Sequence, residues 1–143
     1  MLYTFSYTIP KNTPFSEAKE VELALCPGFL TDAIITIPSG VMYLARCQIV
    51  DAKNNVLPST ENMFITGDGA TVPFKLWYKL KRAPFKLTWK LWNLDDTYDH
   101  EFFLALTVLA EEDYAESGWF KRLIEEITKL REGLLGTGEV VEF

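Results

Sequence analysis

The chain has 143 residues and a formal net charge of −6, from 14 Lys and Arg against 20 Asp and Glu. That length suits one domain, and 48% apolar residues supply a full core. The acidity argues against bulk nucleic-acid binding, which needs a basic surface, and no apolar run approaches the roughly 18 residues of a membrane span.

The opening Met1-Leu2-Tyr3-Thr4-Phe5 has neither a basic segment nor a long apolar run, so a chain made and folded in the cytoplasm is expected. Tyr3 to Ile9 alternates strictly, with Tyr3, Phe5, Tyr7 and Ile9 on one face and Thr4, Ser6 and Thr8 on the other. That is the period of a half-buried strand. Lys19 to Leu25 follows, with Val21, Leu23 and Leu25 inward and Glu20 and Glu22 outward. Pro27-Gly28 is a turn pair.

Leu30 to Ile37 and Val41 to Val50 are apolar on nearly every residue, as strands covered on both faces are, and take central places. Cys26 and Cys47 sit in apolar strand contexts and read as free, buried thiols, with a disulfide between them left open. Asp51 to Asn55 is a polar turn, and Val56 to Ile65 is ambiguous between a short strand and a loop. Val72 to Leu80 and Phe85 to Asn93 read as a hairpin around Lys81-Arg82-Ala83-Pro84. Glu101 to Leu109 is the last strong strand. Seven or eight strands at this spacing predict an all-β antiparallel sandwich or jelly roll over residues 1–110.

Residues 111–143 read differently. Glu111-Glu112-Asp113 is an acidic linker and Ser117 a helix N-cap. Phe120, Leu123, Ile127, Leu130 and Leu134 then recur at spacings of 3, 4, 3 and 4, the seam of an amphipathic helix, with Glu125 four residues before Lys129. Trp119, Ile124 and Leu135 widen the apolar stripe, and Gly133 and Gly136 mark the helix end. Such a helix needs cover, from its own sandwich or from a neighbouring subunit; two heptads are too short for a self-sufficient coiled coil. The tail Glu139 to Phe143 has the composition of a short strand.

Chemistry is sparse. The one histidine, His100, follows Asp95, Asp96 and Asp99. Loop carboxylates of this kind form Asx-type turns, and the spacing matches no calcium loop. No zinc spacing and no phosphate-binding glycine loop occurs, so neither catalysis nor a cofactor is expected. The hairpin is more informative. Alternation puts Lys75, Trp77 and Lys79 on one side of its first strand, and Lys86, Thr88, Lys90 and Trp92 on the matching side of its second. Trp77 and Trp92 would then be covered by the protein itself, anchor a protein interface, or stack on sugar rings or bases.

The phrases YTFSYTIPKNTP (3–14), GFLTDAIITIPSG (28–40) and WNLDDTYDH (92–100) together resemble small β-sandwich proteins encoded among the structural genes of phages and prophages. The resemblance spans residues 3–109 and carries no active site. It implies a virion component such as a capsid decoration, cement or spike-base protein, with the virion as its place and the cytoplasm as the alternative. The expected function is homo-oligomeric assembly and contact with other virion or lattice proteins, without nucleic acid or membrane. The contact residues would be Lys75, Trp77, Lys79, Lys86, Lys90 and Trp92 on the sandwich, and Trp119, Phe120, Leu123, Ile127, Leu130 and Leu134 on the helix. The alternative is a carbohydrate-binding module built on Trp77 and Trp92 with help from Tyr78, and with Asp95, Asp96 or Asp99 as calcium ligands or hydroxyl acceptors.

Overall fold

The computed structural model describes residues 1–80, 83–110 and 118–136, with side chains for 122–133 in the last stretch. The chain divides into two compact units, Met1–Leu109 and Ala110–Phe143.

The first unit is a sandwich of two antiparallel sheets. Its strands are β1 (Leu2–Ile9), β2 (Lys19–Ala24), β3 (Gly28–Ile37), β4 (Ala45–Asp51), β5 (Asn54–Leu57), β6 (Ile65–Thr66), β7 (Ala70–Lys79), β8 (Lys86–Asn93) and β9 (His100–Ala110). One sheet runs β1-β9-β3-β7 and the other β2-β8-β4-β5, with β6 added beside β4. Most consecutive strands lie in opposite sheets, so the chain winds around the core. That strand order is a jelly roll.

Residue alternation makes this core. Leu30, Ala33, Ile35, Ile37, Phe102, Leu104, Leu106 and Val108 of the first sheet face Leu23, Cys47, Ile49, Leu87, Trp89 and Leu91 of the second, and all are buried. Each fully buried Leu or Ile contributes about 1.5–3 kcal/mol. The two long apolar strand segments are central, as β3 and β4, and so is β9. The outer faces of β3 and β9 are not sealed, since Ile34 and Phe103 remain exposed, whereas Gln48 and Val50 on the outer face of β4 are buried. The start of the predicted fourth strand is instead a turn, with Met42 and Tyr43 at positive φ, and pairing begins at Ala45.

The predicted hairpin of Val72–Leu80 and Phe85–Asn93 does not form. β7 pairs with β3 at one edge of the first sheet, whereas β8 lies between β2 and β4 in the second. Pro73, which has no N–H to donate, and the outward Lys75 and Lys79 suit an edge. The sheets are tied at one end by the Tyr78 hydroxyl on β7, which donates to the Asp51 carboxylate on β4. Burial first, and this bond second, push the Tyr78 phenol up to about 12.

In the second unit a helix, α1, spans Gly118–Gly136. It continues through Gly133 instead of ending there. Ser117, the linker 111–113 and the tail 139–143 lie outside the described residues.

Candidate ligand groove and contact surfaces

The two central strands of the second sheet create the most elaborate surface of the sandwich. β4 and β8 pair with Arg46 opposite Trp92, Gln48 opposite Lys90 and Val50 opposite Thr88. Cys47, Ile49, Trp89 and Leu91 point into the core, so the period-two rule turns Arg46, Gln48, Lys90 and Trp92 outward. Two walls rise over them.

One wall is the segment after β1. Thr13 and Asn93 exchange backbone hydrogen bonds of 2.8 Å in each direction, and the Asn12 amide donates to the Asp95 carbonyl at 2.8 Å. This folds the short 3-10 turn Phe15–Glu17 onto β8, and the Phe15 ring meets Trp92 edge to face at 4.8 Å. Lys90 Nζ lies 5.3 Å from the centre of the Phe15 ring. The other wall is the loop between β5 and β6. The Asn55 side-chain amide donates to the Thr60 carbonyl at 3.1 Å and pins it. Phe64 then packs edge to face on Trp92 at 5.9 Å, and the Arg46 guanidinium sits 4.4 Å above the Phe64 ring. The result is a groove of about 530 Å³ lined by Phe15, Arg46, Gln48, Met63, Phe64 and Lys90 among others, with Trp92 beneath.

Trp92 is therefore only 4% exposed and is covered by its own chain. Trp77, at 58% exposure, stands on the outer face of the other sheet, stacked on Phe29 at 4.5 Å. The expected joint face of two tryptophans and four lysines is thus two separate faces. Lys75 lies 3.8 Å from Asp32, and Lys79 reaches over the Phe29 ring at 6.0 Å. Lys86 pairs with Glu22 on β2 at 2.6 Å, and Lys90 joins the groove. No single platform uses both Trp77 and Trp92, because their strands belong to different sheets.

The acidic loop before β9 is a structural brace. The buried Asn93 side chain donates to the Ile9 carbonyl at 3.3 Å and the Tyr98 carbonyl at 3.0 Å, and accepts from the Asp95 amide at 2.9 Å. Asp95 accepts from the Thr97 amide at 2.8 Å and lies 2.8 Å from His100 Nε2. The Thr97 amide first, then His100, hold the Asp95 carboxyl below the usual carboxylate range. Asp99 accepts from the Lys11 amide at 2.8 Å, so these carboxylates do make the expected loop-closing bonds. Among the described residues no group of His, Cys, Asp and Glu is placed to hold a metal ion. Both cysteines are free; Cys47 is buried and Cys26 partly exposed.

On α1, Ile127 is 53% and Leu130 69% exposed, and Leu123 and Ile124 are also exposed. The side chains of Trp119, Phe120 and Leu134 lie outside the described residues. Among the described residues no helix is long and apolar enough to cross a membrane.

The groove residues Phe15, Gln48 and Phe64 escape sequence reasoning because they come together from three distant segments. The one local signal was the outward Lys90 and Trp92. Comparison with protein-family models, curated sequences and solved structures finds no match to this chain.

Proposed function

We propose that this chain is a structural assembly protein, of the virion decoration, cement or spike-base kind, whose copies associate through α1. The observation that carries the reading is the exposed apolar seam of Leu123, Ile127 and Leu130. Water does not favour a helix with that face uncovered, because most helical stability in proteins comes from packing the apolar face. The occupant is a second copy. Setting the seam at heptad positions a and d places Glu126 at g and Arg131 at e. In a parallel pair, g of one helix meets e of the following heptad in the other, so Glu126 faces an arginine and the helix complements itself. Ile127 at a and Leu130 at d are the residue types that favour such pairing. The jelly-roll sandwich is a compact block suited to lattices, and the phage-like phrasing of the sequence supports the virion assignment.

Light scattering of the full chain tests this. The native protein should run as an oligomer, and Ile127→Glu with Leu130→Glu should bring the mass to the 16.4 kDa of one chain. Removal of residues 114–143 should also lower it. A native protein already of single-chain mass at tens of micromolar would remove the assembly reading.

A further inference from the structure

We propose that the groove over β4 and β8 binds an acidic saccharide, a sugar unit carrying a carboxylate. This goes beyond the assembly reading and does not depend on α1, because among the described residues every lining side chain belongs to the sandwich.

The first observation is Gln48. It is 6% exposed, lines the groove from the middle of β4, and its side-chain amide has no hydrogen-bond partner among the described residues. A primary amide offers two donors and two acceptor lone pairs to a ligand in the groove. Vicinal hydroxyls of a sugar, each both donor and acceptor, match that amide in pairs. Asn55 and Asn62 add two more amides around the same space. Asn55 spends one donor on the loop and keeps its carbonyl oxygen for a ligand.

The second observation is charge. Arg46, Lys53 and Lys90 line the groove against one acid, Glu61, in a chain of net charge −6. Among the described residues, none of the three cations is in a salt bridge. Arg46 donates through Nε to the Tyr43 carbonyl at 3.2 Å. Its two Nη groups are left as a planar fork, the geometry that grips a carboxylate. The stacking on Phe64 holds that fork in place.

The third is shape. Phe15 is 53% exposed at one rim and Met63 is exposed at the other, giving apolar surfaces for the C–H face of a pyranose. A volume of about 530 Å³ falls in the range of small-ligand sites and accommodates one or two rings, not a folded partner. Trp92 does not touch the sugar in this arrangement; it props Phe15 and Phe64 in position.

The test is titration calorimetry on the full chain with a galacturonate disaccharide, its methyl ester and a mononucleotide. The galacturonate should bind, and esterification, which removes the charge and adds one methyl group, should weaken it at least about tenfold. Gln48→Leu, which keeps volume and removes the amide, and Lys90→Met at the rim should each weaken it by about tenfold or more. Lys75→Met, on the other sheet, should leave it unchanged. Thermal melts report whether Gln48→Leu folds, and Lys90→Met stands in if it does not. Absence of binding at millimolar galacturonate, equal binding of the ester, or tighter binding of the mononucleotide would each overturn the proposal.

Discussion

Arg46 and Trp92 are direct partners across the β4–β8 ladder, and both turn outward, the guanidinium over Phe64 and the indole between Phe64 and Phe15. This pair braces the groove walls, Trp92 by contact with both Phe15 and Phe64 and Arg46 by stacking on Phe64. Trp92→Ala should therefore behave as a core substitution and cost about 3 kcal/mol in urea unfolding. Trp77→Ala, on an exposed stack with Phe29, should cost no more than about 1 kcal/mol.

Asn93 is fully buried and makes three side-chain hydrogen bonds that join the ends of β1, β8 and the loop before β9. Asn93→Ala leaves two carbonyls and an amide without it. A loss of about 2–3 kcal/mol is expected by chemical denaturation. A loss within experimental error would show that water replaces the brace.

Asp95 gives the sandwich an acid-sensitive point. Its folded value is depressed, chiefly by the Thr97 amide. A depressed carboxyl contributes stability that is present above the unfolded value, about 4, and is lost as pH falls through the lower folded value. Melting temperature should drop more steeply below about pH 4 in the native protein than in Asp95→Asn, with the two curves parallel at neutral pH.

The two thiols should separate by reactivity. Burial pushes the Cys47 thiol up to about 12, so it is neither accessible nor ionised in the folded chain. A thiol-specific disulfide reagent should modify Cys26 alone in the native protein and both residues once it is unfolded. Native Cys47→Ser should therefore show the same reactive thiol as the parent, whereas Cys26→Ser should show none.

Gly133 lies inside α1, and a side chain there would meet open space. Gly133→Ala should stabilise the helix by about 1 kcal/mol and raise helical circular dichroism. If α1 mediates association, the same variant should also shift the oligomer equilibrium to lower concentration.

Much of this architecture is local information. Period-two alternation separated the two faces of β7 and β8, with Lys75, Trp77 and Lys79 on one strand and Lys86, Thr88, Lys90 and Trp92 on the other turned away from the core. The apolar runs of β3 and β4 marked two of the central strands, and the 3,4 spacing marked α1. What alternation does not encode is the partner. It assigns a side to each residue but not a neighbour to each strand, so β7 and β8, adjacent in sequence and alike in pattern, read as a hairpin. Pro73 was the local sign that β7 takes an edge.

Sandwich class, strand faces and an apolar helix were already legible along the chain. The division of Trp77 and Trp92 between two sheets, and the meeting of Phe15, Gln48 and Phe64 around Arg46 and Lys90, came into view with the folded chain. The reason is physical. Facing follows from the geometry of one strand, whereas pairing and the fold-over of loops depend on long-range contacts such as the Thr13–Asn93 bridge, which joins residues far apart along the chain.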